Sequence, residues 1–316
     1  MSRTNYPAGP AYLTAGGLTI EMAEDWKAIS QIMKAEMKTN LHGIVGYSEQ
    51  YVITKITGKP VALSGNFAAL VAYLLPYTPD MIGQLVMPDT DAPAIIQTRD
   101  GKSITYPATF ISKQPDLTFA ANTDIFGEFE LTCLRAYDPD LTDPTDVAEV
   151  AASAFAAPSL DPLTRIRSPY TVAWGATAPF DAIETDKSGV KFTADAKLAP
   201  VEPDLSGLIN MRIESVEASA KFTPLNLDAD DFYNFLALSH ATAAGVGKVL
   251  GLRGQQLTVQ STKVGDPKLV IPLAVPDEGP LGFDLKSRVG EVTLNAHRKA
   301  VTGVLQALYT LGVRAA

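Results

Sequence analysis

The sequence predicts a mainly β protein with a few helices (a β-rich α+β fold), arranged as two tandem domains. The chain has 316 residues, and its 22 prolines and 23 glycines favour many short strands over long helices. Polar and apolar residues alternate in residues 126–131 and again in 289–294, which is the period of a strand with one buried face. Each stretch contains a Gly-Glu pair, so a duplicated domain is the first hypothesis.

The N-terminal part of the chain, up to Leu75, predicts an arm, an ambiguous segment, a strand and a helix. Residues 9–20 are predicted to form an exposed arm that leads into a short strand. Residues 24–40 fit either a helix or a twisted strand followed by a loop. Residues 43–57 are rich in Tyr, Val, Ile and Thr, which indicates a strand. Residues 66–75 are apolar nearly all round, which predicts a buried helix.

The remainder of the first half predicts strands only. Asp100 and Gly101 lie between two β-rich runs, and this pair is typical of a hairpin turn. The predicted strands are 95–98, 104–106, 110–111, 117–119 and 128–134.

The segment 141–160 is predicted to be a linker with a helix, between a first domain of residues 1–140 and a second of 161–316. An Asp-Pro pair at its start is typical of a helix N-terminus. Apolar residues from Val147 to Phe155 recur at helical spacing, which indicates a helix of about 12 residues.

The second half repeats the order of the first. Gly43 and Gly207 are 164 positions apart, Pro60 and Pro224 share this offset, and other matches differ from it by one residue. The predicted elements are strands at 190–198 and 207–222, a helix at 228–239, and strands at 255–262, 269–273, 281–283 and from Gly290.

The charge and the cysteine content restrict the possible functions. The net charge of −9 disfavours tight nucleic-acid binding, because phosphate contacts require Lys and Arg. Cys133 is the single cysteine, so no internal disulfide is possible, and its place in the alternation predicts a buried thiol. No apolar run approaches the roughly 20 residues that span a bilayer, and no signal peptide is visible, so we expect synthesis in a cytoplasm without a membrane anchor.

No motif predicts catalysis, a metal or a cofactor. The three histidines, His42, His240 and His297, have no Cys, His or acidic neighbours at metal-ligand spacing. Neither a nucleophile elbow nor a phosphate loop is present. We expect a protein that is not an enzyme, although a triad assembled in space remains an alternative.

Several segments together indicate a family. They are residues 9–13, 99–106, 111–119 and 127–131 in the first half, and 173–180 and 219–224 in the second. In these strand-and-turn patterns the chain resembles the major tail tube proteins of long, non-contractile-tailed bacteriophages, in the form where one chain carries two tube domains.

The resemblance implies a fold and an assembly. Each repeat would be a β-sandwich or half-barrel with one flanking helix. Three chains would form a pseudo-sixfold ring, and rings would stack into a tube that conducts DNA from the capsid. The partners would be other copies of the chain, the tape measure protein and other tail proteins, and double-stranded DNA that passes without tight binding. The protein would be made in the host cytoplasm and end in the virion tail.

Two sets of residues are candidates for function. An excess of carboxylates on the tube wall would let DNA slide, and stacking contacts would come from the N-terminal arm and from loops. The candidates for the lumen are Glu128, Glu130, Glu217 and Glu291, and those for ring stacking are Gly9, Pro10, Tyr12, Asp89, Asp91 and Asp266.

Three alternatives remain open at this point. The chain could be another tail component of the same fold, such as a terminator or a baseplate adaptor. It could be a two-domain β-sandwich that binds carbohydrate or a host surface, although its aromatic content is only 8%. It could also be a hydrolase with a spatial triad. For Glu128 and Glu291, the simpler interpretation is that they are exposed strand carboxylates.

Overall fold

The fold is mainly β, as predicted. The computed structural model describes residues 11–23, 26–86, 93–106, 108–136, 149–155, 161–175, 181–202, 208, 210–225, 254–277 and 290–315. Within these ranges the chain forms nineteen strands and one α-helix. In chain order they are β1 (Ala11–Ala15), β2 (Leu18–Glu21), β3 (Lys27–Thr39), β4 (Gly43–Gly58), α1 (Phe67–Leu74), β5 (Ala94–Thr98), β6 (Lys102–Tyr106), β7 (Thr109–Lys113), β8 (Leu117–Phe119), β9 (Phe129–Ala136), β10 (Glu149–Ala152), β11 (Tyr170–Trp174), β12 (Val190–Val201), β13 (Asn210–Phe222), β14 (Gln255–Ser261), β15 (Pro267–Pro276), β16 (Val292–Ala296), β17 (Ala300–Val301), β18 (Val304–Leu305) and β19 (Thr310–Val313).

Apart from β8, the strands from β1 to β10 form two antiparallel sheets. One has the order β10-β6-β5-β1-β2, and the other has the order β3-β4-β9-β7. The second sheet contains the longest hairpin described, since β3 has 13 residues and β4 has 16. β9 pairs with the later part of β4 only, from Tyr51 to Gly58.

Seven strands of the second half and β8 of the first half form one sheet of eight strands, and β17 and β18 form a separate two-stranded sheet. The order of the larger sheet is β11-β14-β15-β16-β13-β12-β8, with β19 paired to β15. The neighbours match those of the first half: β12, β13, β16 and β15 adjoin as β3, β4, β9 and β7 do. Likewise β11, β14, β15 and β19 adjoin as β1, β5, β6 and β10 do. The ten-residue β15 takes both the β6 and the β7 places, which joins the two groups into one sheet.

The two long hairpins share a β-bulge at a matching position. The register of β3 against β4 shifts between Met33 and Lys34. The register of β12 against β13 shifts between Lys197 and Leu198, which is 164 positions further along the chain. A bulge adds one unpaired residue to one strand and bends it, so both hairpins bend at the same place.

The ladders beside these hairpins also match. Gly58 lies opposite Phe129 where β4 meets β9. Phe222 lies opposite Val292 where β13 meets β16. The offset between these two pairs is the one that separates the matching glycines of the sequence, to within one position.

One large hydrophobic core contains residues from both halves. Trp174, Phe119 and Phe192 are completely buried in it. The first-half strand β8 pairs with β12, so Phe119 lies opposite Val190, and its ring packs edge-on against Tyr170 at a centroid distance of 5.3 Å. Burial of each such side chain stabilises the fold by about 1.5–3 kcal/mol, so the two halves stabilise each other.

The N-terminal arm prediction is wrong for the described residues. β1 and β2 form a hairpin at the edge of the first sheet, and Leu13 and Ile20 are buried in the core. Gly16 and Gly17 form its turn with positive φ angles of 56° and 74°. Two glycines favour this left-handed conformation because they lack a Cβ atom.

Two other predictions in the first half are decided by the structure. The ambiguous segment 24–40 contains a long strand, β3, rather than a helix. The predicted short helix is confirmed as α1, but it is buried on one side only. Phe67, Leu70 and Leu74 are buried, whereas its alanines at 68, 69 and 72 are exposed.

The predicted linker helix is wrong at residues 149–152. These residues form β10, which pairs antiparallel with β6, with Glu149 opposite Thr105. The open edge of β6 supplies a continuous ladder of backbone partners, and this tertiary pairing overrides the local helical spacing. The part of the predicted linker before residue 149, the predicted helix at 228–239 and the predicted strand at 281–283 lie outside the described residues.

The junction between the halves makes one glycine critical. Gly189 has a φ of +70°, and a Cβ atom there would overlap the carbonyl oxygen of Phe119 and the side chain of Ala120. Gly265 has a φ of +85° but has open space around it. We predict that Gly265→Ala lowers the free energy of unfolding by about 1 kcal/mol, from backbone strain alone.

Gly189→Ala should lower the same free energy by about 2 kcal/mol more, because overlap adds to strain. Chemical denaturation of both variants measures the difference. Equal losses would show that β8 does not pack tightly on the chain before β12.

Candidate functional site

The outward side of the β12–β13 hairpin is a polar surface. In β12 the buried Phe192 and Ala194 alternate with exposed Lys191 and Asp195. In β13 Glu217, a predicted lumen residue, is exposed and lies directly opposite Asp195. Residues opposite one another in a ladder share a face, so these charged side chains form what we call the second polar face.

The first half has a matching surface, the first polar face, on β3, β4 and β9. Glu130, another predicted lumen residue, is half-buried there. Its carboxylate lies 3.0 Å from the ammonium of Lys55 and accepts a hydrogen bond of 2.7 Å from Ser112 Oγ. The Ser112 hydroxyl in turn accepts a hydrogen bond of 2.7 Å from Thr132 Oγ1. Glu130 is therefore held in place by strand neighbours.

Charges of opposite sign balance on these two faces. Asp116 pairs with Lys191 at 2.8 Å, and Glu214 pairs with Lys197 at 3.0 Å. The expected excess of carboxylates is thus not found on these strands. The cations are Lys27, Lys55, Lys191, Lys197, Arg212 and Lys221, and the carboxylates on or beside these strands are Glu130, Asp195, Glu217, Asp116 and Glu214.

Glu128 and Glu291 occupy corresponding positions, each one residue before its strand. Glu128 precedes β9 and Glu291 precedes β16, and both side chains are exposed. They lie at the ends of the two polar faces rather than within the ladders. That they face a lumen stays a prediction.

Two of the stacking candidates are buried, so those predictions are wrong. Tyr12 is 8% exposed, and its ring packs against Phe155 at a centroid distance of 5.5 Å. Asp266 is 1% exposed and accepts hydrogen bonds from Ser168 Oγ and, at 3.1 Å, from Ser261 Oγ. Gly9, Pro10, Asp89 and Asp91 lie outside the described residues, and their roles stay predictions.

The Asp266 carboxylate belongs to a buried polar cluster. Arg314 donates from its guanidinium to the backbone oxygen of Ser261 at 2.6 Å and from its backbone N–H to the backbone oxygen of Asp266 at 2.8 Å. Burial, and secondly the charge of Asp266, raise the pKa of the nearby Tyr170 hydroxyl. The cluster joins the β14–β15 turn to the end of β19.

The sequence interpretation missed an exposed apolar surface on the β3–β4 hairpin. Of sixteen large apolar side chains that are exposed in the described part of the chain, seven lie between Ile29 and Tyr47. Ile44 and Val45 are neighbours on opposite faces of β4, and both are about half exposed. The adjacent apolar residues are visible in the sequence, but they are equally typical of a strand that is buried on both faces.

The same hairpin has an open edge. β3 is the last strand of its sheet, and no described strand pairs with its outer side. The corresponding strand of the second half, β12, instead pairs with β8 at its first three residues, 190–192. Unpaired backbone groups on a long edge strand are a template for another strand.

Other kinds of site find no support among the described residues. No group of three or more His, Cys, Asp and Glu side chains there could hold a metal ion. No helix in the described ranges is long and apolar enough to cross a bilayer. A small hollow is lined by apolar and aromatic side chains only, namely Tyr12, Leu13, Met22, Trp26, Ile56 and Ile96. No protein-family model matches the chain, and no curated protein matches its sequence.

We predict that Asp266 is a structural residue. Asp266→Asn should lower the free energy of unfolding by about 1.5–3 kcal/mol, because hydrogen bonds to a buried charge are lost or weakened. Glu217→Gln is the control, since this exposed change should stay within about 0.5 kcal/mol of the parent chain. Thermal or chemical denaturation measures both. An Asp266→Asn variant as stable as its parent would contradict the buried cluster.

Proposed function

We propose that the chain is a structural protein that assembles into stacked rings, three chains to a ring, and that the resulting tube conducts double-stranded DNA. This is the role of the major tail tube proteins that the sequence resembles. The two halves would be copies of one domain, so three chains would present six near-equivalent units.

The observation that carries the proposal is the shared bulge of the two long hairpins. A bulge is an irregularity that a strand pair does not need, and here it falls between Met33 and Lys34 and again between Lys197 and Leu198. Identical neighbour orders around the two hairpins support the same conclusion. Two equivalent units within one chain can repeat the same head-to-tail contact from unit to unit. Such contacts either close into a ring or continue as a filament, so this arrangement favours a closed ring.

The exposed apolar hairpin supports self-assembly. Seven of the sixteen exposed large apolar side chains lie on this one hairpin, and such a concentration is typical of an interaction surface. Leu41 at the hairpin turn is 89% exposed and Ile29 is 63% exposed. A second chain that covers β3 and β4 would remove both the apolar surface and the open backbone edge.

The balanced polar faces support passage of DNA without tight binding. Each ion pair, such as that of Lys55 with Glu130, places a carboxylate beside a cation. A phosphate that approaches such a lysine meets the neighbouring negative charge as well. Phosphate binding by net positive charge is therefore weak on this surface.

Negative-stain electron microscopy of the purified chain tests the proposal. We expect rings with threefold and pseudo-sixfold symmetry, and tubes at high protein concentration. Single rings that never stack would indicate a terminator or adaptor instead. A monomer at every concentration tested would refute assembly and favour a binding module.

Charge reversal on the second polar face tests the DNA role. We predict that Asp195→Lys with Glu217→Lys leaves tubes intact but makes them retain double-stranded DNA, because unpaired lysines bind phosphate. The control is Asp181→Lys with Glu202→Lys, which adds the same charge at exposed positions outside that face.

Tubes would be assembled with labelled DNA, treated with nuclease and sedimented. DNA protected from nuclease should appear with the first variant only, and high salt should release it. Equal protection in both variants would contradict the assignment of this face to the lumen.

A further inference from the structure

We propose that the outer edge of β3 and the exposed β3–β4 hairpin dock a second copy of this chain, in the register by which the first half already holds the β12–β13 hairpin. This inference rests on the proposed function and identifies the partner and the surface that ring formation requires. The junction between the halves is thus the template for the junction between chains.

The first part of the template is the pairing of β8 with β12. Leu117 and Phe119 of β8 are completely buried and lie opposite Phe192 and Val190. Beside them, the Asp116 carboxylate pairs with Lys191 at 2.8 Å and accepts a hydrogen bond of 2.8 Å from Thr193. Backbone, apolar and charged contacts therefore all fix this register.

The second part covers the other edge of the same hairpin. The segment 83–86 of the first half runs beside the start of β13. The backbone N–H groups of Gly83 and Val86 donate to the carbonyls of Ile213 and Met211 at 2.8 Å each. The Ile213 N–H donates back to the Gln84 carbonyl at 3.0 Å.

Apolar contacts complete the template. Leu208 is only 4% exposed, because it packs in a cluster with Phe110 and Leu134 of the first half. Leu198 and Met211 pack against the same cluster. The tip region of the β12–β13 hairpin is thus covered by the half that precedes it.

The positions of the first half that correspond to this template are exposed. Ile44 corresponds to Leu208 at the offset that relates Gly43 to Gly207, yet it is 49% exposed against 4%. Lys27 occupies the place of Lys191 at an edge where no described strand pairs. Among the described residues, nothing covers this hairpin as the first half covers the second.

A second copy of the chain has the sequence to do so. At the same offset, Leu281 and Phe283 correspond to Leu117 and Phe119 of β8. Both residues lie outside the described residues. We assign them to the edge of β3 because of this sequence correspondence. The second half of one chain would then dock on β3 of the next, and the contact would repeat around the ring.

Cysteine cross-linking tests the register. Thr118 lies opposite Lys191 in the template, so the corresponding pair between chains is Gly282 and Lys27. Opposed residues in an antiparallel ladder have Cα atoms about 4.5–5.5 Å apart, which is within disulfide range. The background is Cys133→Ala, which removes the only natural cysteine.

Chains with Lys27→Cys would be mixed with chains with Gly282→Cys under mild oxidation. We expect a covalent dimer, and none when Lys38→Cys, at the far end of β3, replaces Lys27→Cys. The double variant Thr118→Cys with Lys191→Cys is the positive control and should form an internal disulfide in the monomer. Rings without the Lys27–Gly282 cross-link would overturn this inference and leave the proposed function intact. A chain that never assembles would overturn both.

A second test of the docking surface uses described residues only. Ile44→Asp should raise the concentration for half-assembly by at least about tenfold, because burial of a charge opposes docking. Val264→Asp is the matched control: Val264 is 54% exposed but lies in the β14–β15 turn, away from the hairpin. If Ile44→Asp assembled at the concentration of its parent, the docking surface would be wrong even where the cysteine variants misfold.

Discussion

The fold depends on how the backbone edges of two long hairpins are covered. Hairpins of this length carry a long row of N–H and C=O groups on their outer sides, and a buried group without a partner costs about 1–3 kcal/mol. In the second half, β8 pairs with the first three residues of β12 on one edge, and residues 83–86 cover part of the other. Because both covering segments belong to the first half, the two halves share one core and cannot be independent sheets.

The same neighbour order is built from different strand lengths in the two halves. Ala108 lies between β6 and β7 with a φ of +48°, which is a strained conformation for a residue with a Cβ atom. The chain turns there, and two separate sheets result. In the second half β15 continues through the corresponding region as one strand, with a shift in its register against β14, and joins them. Each strand therefore has the same neighbours in both halves, although β6 and β7 are separate strands and β15 is one. This is expected if packing depends on which strands pair and not on individual turns.

Composition was sufficient to predict β4, which is rich in Tyr, Val, Ile and Thr, and the alternation of polar and apolar residues was sufficient to predict β9. Prediction from local pattern failed at residues 149–152. The helical spacing of Val150 and its neighbours predicted a helix, but these residues pair with the open edge of β6. It also failed for Asp266, because the partners Ser168 and Arg314 are distant in sequence. The exposed hairpin is a third failure of another kind: apolar residues on both faces indicate a core strand, and nothing local distinguishes a core from a docking surface.

In the proposed ring, duplication changes the energetics of assembly. Each association event between proteins costs an estimated 4–15 kcal/mol in lost translational and rotational freedom. A ring of six separate units would require six chains, whereas in the proposed ring three of the six junctions would be internal to a chain and would form during folding. The lysines at 27, 34 and 38 along β3 oppose indiscriminate pairing of its open edge, since charged edge strands resist adding arbitrary strands. A partner with the correct register could leave those ammonium groups in solvent and still pair the backbone, so in the proposed ring specificity would come from register and not from the area covered.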